Sequence, residues 1–149
     1  MKGQDYSATI TVDKSSEAAL KAIQNLRGWW SEDIEGDTAN VGDECTHRYK
    51  DVHRCTLKLI ERIPNRKVVW CILDNYFSFT KDKSEWKGTS LVFEVSTKGN
   101  KTKVHFTHRG LVPAYECFDM CSSAWDALID VSLKALIATG KGRPDATEE

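Results

Sequence analysis

Between Pro113 and Gly142 the chain carries a long apolar stripe at helical spacing, and no other feature restricts its fold as much. Phe118, Cys121, Ser122, Trp125, Leu128, Ile129, Ser132, Leu133 and Leu136 recur at steps of three, one, three, three, one, three, one and three, which puts them on one helical face. Pro113 suits the first turn, because its ring fixes φ and its missing donor would be unpaired there anyway. Gly140 and Gly142 offer a left-handed stop and Pro144 forbids continuation. At 1.5 Å per residue the predicted helix is about 40 Å long, enough to cross a small domain.

The chain before that helix reads mostly as strand. Tyr6, Ala8, Ile10 and Val12 alternate with Ser7, Thr9 and Thr11, the pattern of a half-buried strand. Asp13 or Ser15 then caps a short helix whose apolar side is Ala18, Ala19, Leu20, Ala22, Ile23 and Leu26, ending at Gly28. Ser31 to Gly36 predicts a second short helix turning into a brief strand. Trp29 and Trp30 cannot share one direction, so one seals the core while the other faces a rim.

From Glu44 onward, strict alternation predicts a hairpin through Cys45, His47 and Tyr49 and back through His53, Cys55, Leu57 and Leu59. A turn centred on Lys50 would set Cys45 opposite Cys55 and His47 opposite His53 on the inner face. Val68 to Leu73 is apolar on both sides and reads as a central strand that continues to Tyr76, Phe77 and Phe79. Gly99-Asn100 closes a last hairpin between Leu91, Phe93 and Val95 and Val104, Phe106 and His108. The sum is an α+β chain: a curved antiparallel sheet of six to seven strands, two short helices after the first strand, and one long C-terminal helix.

Composition narrows the partners. With 149 residues, 40% of them hydrophobic, the chain fits a single domain over 1–149 with a true core, and 143–149 reads as a frayed tail. Twenty-one basic against 22 acidic residues give a net charge of -1, which argues against a nucleic-acid partner. No apolar run reaches the length of a signal peptide or a membrane span, and the five cysteines are an odd number in a chain large enough to fold without staples. The expectation is a cytoplasmic protein with reduced thiols.

Three stretches carry a family resemblance: Trp29-Trp30 before an acidic turn, Glu85-Trp86-Lys87-Gly88-Thr89 before the strand through Phe93, and Ala124-Trp125 to Thr139-Gly140-Lys141-Gly142. With the element order they resemble the heat-shock ATPase activator homologue-like (Aha-like) branch of the helix-grip superfamily, which also includes START domains, the birch-pollen allergen and polyketide cyclases (SRPBCC). The resemblance implies a helix-grip fold with a cavity between the sheet and the terminal helix, and no particular ligand.

The candidate ligand-binding residues follow from the faces assigned above. Tyr49, Cys71, Phe77, Phe93, Phe106 and His108 are expected on the sheet wall, with His47 beside them and Trp30 at the rim. Phe118, Cys121, Ser122 and Trp125 are expected on the helix wall, where the small Cys121, Ser122 and Ser132 leave room opposite a concave sheet. Cys45, His47, His53 and Cys55 are soft ligands on one face, but alternate strand positions lie about 7 Å apart and the spacing is no familiar zinc pattern. Neither a metal nor a cofactor is expected. Gly140-Lys141-Gly142 ends a helix and lacks the Ser or Thr of a phosphate loop, and no Gly-x-Ser-x-Gly is present.

Three functions fit. The first is binding of a small lipophilic molecule, and the second, implied by the resemblance, is an interaction module that regulates a heat-shock ATPase. A cyclase- or hydratase-type enzyme using His108 or His47 ranks third, because no acid–base pair is legible.

Overall fold

The alternating segments become strands and the three-four segments become helices, in a computed structural model that describes residues 5–144. In chain order these are β1 (Tyr6–Val12), α1 (Ser16–Gln24), α2 (Leu26–Trp29), β2 (Ile34–Gly36), β3 (Glu44–Tyr49), β4 (His53–Ile63), β5 (Lys67–Phe77), β6 (Ser90–Lys98) and β7 (Lys101–Arg109). The terminal helix follows as α3 (Phe118–Ala127), a π-helical segment (Leu128–Leu133) and α4 (Lys134–Thr139). The strands form one seven-stranded antiparallel sheet in the order β1-β7-β6-β5-β4-β3-β2. One face buries Leu57, Leu59, Trp70, Phe93 and Phe106 against Trp125, Ile129 and Leu133 of the helix. Burial of such side chains contributes about 1.5–3 kcal/mol each.

Ser15 caps α1, its Oγ accepting from the Ala18 amide at 3.1 Å. The second short helix lies at Leu26–Trp29, before the acidic turn rather than within it, and only the brief strand Ile34–Gly36 forms beyond. The adjacent indoles divide as expected: Trp29 donates Nε1 to the Ile23 carbonyl at 3.0 Å and meets Phe93 edge-on at 5.8 Å, whereas Trp30 turns toward His47.

The terminal helix starts at Phe118 rather than at Pro113, so the helical stretch measures about 33 Å. Residues 113–117 run through turns instead, because a distant carboxylate, Glu85, accepts from the Glu116 and Cys117 amides at 2.7 and 3.2 Å and caps the helix there. The stop is as expected, with Gly140 left-handed at φ 87°. The π-helical segment adds backbone without adding a turn, so the buried stripe drifts from Leu133 to Ile137, which is less exposed than Leu136.

Small residues close the far end. Ser132 Oγ donates to the Trp29 carbonyl at 2.6 Å and accepts from the Arg143 amide at 2.8 Å, so it is a clamp and leaves no void. A Cβ on Gly142 would come within 2.3 Å of the Gly28 carbonyl oxygen, so only glycine allows this approach. The expected frayed tail is thus anchored at Arg143, and 145–149 lie outside the described residues.

Two pairings differ from expectation. The first hairpin turns around Lys50 and Asp51, with Lys50 at φ 50°, and pairs Cys45 with Leu57, His47 with Cys55 and Tyr49 with His53. Because the slip is two residues, each side chain keeps its face. In β5 the pairing jumps from Leu57–Ile72 to Thr56–Asp74, a bulge that leaves Leu73 extra and reverses the alternation. Trp70 and Ile72 therefore point inward before it, and Asn75 and Phe77 after it. Cys71 consequently lies off the inner face.

Candidate functional site

The stretch Glu85 to Thr89 organises the site, one side chain at a time. Glu85 caps α3, as above. Trp86 lies flat on Trp125, with ring centroids 5.7 Å apart and planes 12° apart. Gly88 makes the left-handed turn at φ 86°. Thr89 Oγ1 donates to the Trp86 carbonyl at 2.6 Å, so its lone pairs face His108 Nε2 at 2.8 Å and receive that proton. The other nitrogen, Nδ1, accepts from Trp125 Nε1 at 3.1 Å.

That accounting assigns His108 as a neutral Nε2–H tautomer with both nitrogens occupied. Burial, and secondarily the neighbouring His53, pulls its pKa down to about 3. A ring so engaged has no lone pair left to take a proton from a substrate. His108 is a positioning group for Trp125.

On the other side of Trp125 the side chains leave space. A cleft of about 520 Å³ opens between the β3–β4 hairpin, the connection after β5 and the first turns of α3. Trp30, His47, Tyr49 and His53 form one wall, Phe77, Phe79 and Trp86 a second, and Met120, Cys121 and Trp125 the helix side. His47 stacks on Trp30 at 4.6 Å and meets His53 at 5.3 Å, and His53 stacks on Phe77 at 4.4 Å.

The cleft differs from the His108 side in its hydrogen bonds. His47 is 3% exposed, yet its Nδ1 has no partner among the described residues. Trp86 Nε1, beside the Cys121 thiol, also forms no hydrogen bond of ordinary geometry. Asn75 sets its amide nitrogen 3.4 Å from the Lys83 carbonyl, so its Oδ1 receives the His53 Nε2 proton at 2.8 Å and His53 Nδ1 stays an acceptor. Burial lowers the His47 pKa to about 3, helped by His53, and lowers that of His53 to about 4 against the Asn75 bond. Both rings are neutral at pH 7.

Cys45, Cys55 and Cys121 are not poised for reaction. A hydrogen bond with Cys117 and then burial raise the Cys121 pKa, and burial pushes Cys45 up to about 11 and Cys55 well above the usual thiol value. Among the described residues no group of three or more His, Cys, Asp or Glu side chains is placed to hold a metal ion.

Of the twelve residues expected to bind ligand, the structure brings Trp30, His47, Tyr49, Phe77, Cys121 and Trp125 to the cleft wall. Phe93, Phe106 and His108 lie fully buried behind Trp125, Cys71 is half-buried off the inner face, and Phe118 and Ser122 stand off the wall. Trp86, His53, Phe79 and Met120 line the cleft although sequence reasoning did not assign them to ligand. Phe79 continues the alternation of Phe77, and Trp86 sits in the stretch that carries the family resemblance. For Met120, 60% exposed, no signal was present.

A curved antiparallel sheet closed on one long C-terminal helix, with a cleft between them, defines a helix-grip domain. Within that class the chain resembles Aha1: it is similar to the solution structure of the Aha1 dimer from Colwellia psychrerythraea, at 27% identity and a TM-score of 0.74, over 93% of this chain and 99% of that one. Mll3558 from Rhizobium loti has the same fold at 12% identity and a TM-score of 0.67, over 85% and 92%. So does DynU16, from the dynemicin biosynthetic locus, at 10% identity and a TM-score of 0.66, over 91% of this chain and 48% of that one. No family model and no curated protein matches the chain. Among the described residues no helix is long and apolar enough to cross a membrane.

Proposed function

We propose that this domain binds a small, largely apolar molecule in the cleft between the hairpin and the terminal helix, and that it does so in the cytoplasm, in keeping with five free thiols. The supporting observation is an aromatic-walled space of about 520 Å³ beside a buried His47 whose Nδ1 has no partner among the described residues. A volume of this order is usual for small-molecule sites, and an unmet buried polar atom is costly until something meets it. A thermal-shift screen of neutral lipophilic compounds tests the reading, since a ligand at a hundred times its Kd adds about 2.7 kcal/mol of stability. Cys121→Leu, which fills the helix side of the cleft, should abolish the shift. A library that leaves the melting temperature unchanged overturns this function.

A second reading rests on a different observation, the 27% identity to Aha1 along almost the whole chain. On this reading, which the family resemblance suggests, the domain is an interaction module for a heat-shock ATPase. Pull-down with that ATPase and measurement of its turnover separate the two: stimulation that survives Cys121→Leu would place the activity outside the cleft.

A further inference from the structure

An anion enters an apolar site only where something positive meets it, and a chain has three such devices of its own: a basic side chain, a protonated imidazole, and the backbone amides of a helix N-terminus. The first is missing, since none of the described residues that line the cleft is Lys or Arg. So is the second, because burial keeps His47 and His53 neutral at pH 7. The third is at hand: α3 begins at Phe118, and its first turn puts Met120 and Cys121 on the cleft wall.

That N-terminus is already filled. Glu85, 9% exposed and directly before the cleft-lining Trp86, accepts from the Glu116 and Cys117 amides at 2.7 and 3.2 Å. The Glu116 carboxylate in turn accepts from the Lys81 amide at 2.9 Å, in the connection that also carries Phe79. Two carboxylates of the chain thus hold amides at which a ligand's carboxylate would otherwise find its donors. The charge of Glu85 also reaches the cleft wall: after the Cys117 hydrogen bond and burial, it is among the groups that raise the Cys121 pKa. A second negative charge there would meet repulsion as well as desolvation, and an uncharged guest of the same shape meets neither.

Resting on the ligand-binding reading, we propose that the cleft admits uncharged lipophilic molecules and excludes their carboxylate counterparts, and that Glu85 sets this preference by holding the N-terminus of α3. Calorimetric titration of the full chain at pH 7 with 1-acetyladamantane and adamantane-1-carboxylate tests it, since a methyl ketone and a carboxylate on one skeleton share a shape and differ in charge. The ketone should bind, and the carboxylate should bind about tenfold more weakly or worse. Glu85→Gln, which keeps an acceptor for the amides and removes the charge, should narrow that ratio several-fold. The ratio in the wild-type chain needs no variant, so the preference is tested even where Glu85→Gln fails to fold. Equal binding of the two probes overturns the exclusion of anions while the ligand-binding reading survives. A ratio that a folded Glu85→Gln leaves unchanged overturns the role of Glu85. Silence from both probes, when another lipophilic compound still raises the melting temperature, overturns the selectivity alone, because shape rather than charge then decides entry. Silence throughout overturns both.

Discussion

His108 and His47 flank the same indole cluster, both buried and both held neutral with pKa values near 3, yet their surroundings differ in one respect. At His108 every polar atom has a partner, with Thr89 on one nitrogen and Trp125 on the other. At His47, Nδ1 has none, and the ring beside it borders a cleft. Burial and charge state therefore do not distinguish the two rings; the count of satisfied hydrogen bonds does. An unmet polar atom is not confined to the cleft, since Trp70 Nε1 and Ser122 Oγ are also buried without a partner among the described residues; what sets His47 apart is that its ring borders open space.

The largest effect should appear on acidification, where the two regions behave alike. His47, His53 and His108 have folded-state pKa values of about 3, 4 and 3, below the ordinary histidine value. The unfolded chain thus binds more protons, so stability is full above about pH 6.5 and falls as pH drops toward 4. Each imidazole removes about 1.4 kcal/mol per pH unit in that window, about 4 kcal/mol for the three together. Urea midpoints measured from pH 7 to 5 should show this slope, and His47→Phe should make it shallower by about a third. A flat profile would mean that these rings are not neutral and enclosed.

Next in size is Trp125, which touches both regions. Trp125→Ala should cost about 3–5 kcal/mol in chemical denaturation, since it opens a cavity and strips His108 of its donor. A cost under about 1 kcal/mol would show that the indole is not the keystone between them.

The sharpest division comes from paired substitutions. His108→Phe should cost about 2–4 kcal/mol, because it strands the Trp125 N–H in the core. His47→Phe should stay within about 1 kcal/mol of wild type, because it removes an unpaired nitrogen rather than a bond. Equal costs would erase the distinction between the two sites. Smallest of all, Cys121→Leu should change stability by less than about 1.5 kcal/mol while closing the cleft to ligand.

The strands, their faces and the identity of the terminal helix were legible because hydrophobic period reports directly on which side is buried. What escaped depended on contacts between distant segments. Pro113 looked like a helix start, and only Glu85, far back in the chain, moves the start to Phe118. Cys71 and Phe77 share a parity in the sequence, and the bulge at Leu73 separates them. The hairpin slipped by two residues because a left-handed Lys50 is a turn geometry that alternation does not encode. Ser132 read as empty space, whereas its partners are carbonyl and amide groups, which look the same in every residue. Six of the fifteen residues of the cleft wall were therefore visible in advance, and the other nine, Trp86, His53, Phe79 and Met120 among them, were not.

The indole cluster has a consequence for optical measurement. Of the five tryptophans in the chain, Trp29, Trp30, Trp86 and Trp125 form one connected set with neighbouring rings 5.2–6.4 Å apart. Trp70 stands apart from it, across Phe93. At such separations the transitions couple, so near-ultraviolet dichroism and intrinsic emission report mainly on this cluster and little on the rest of the sheet. Three of its members line the cleft, and the protein thereby carries its own chromophore for whatever enters there.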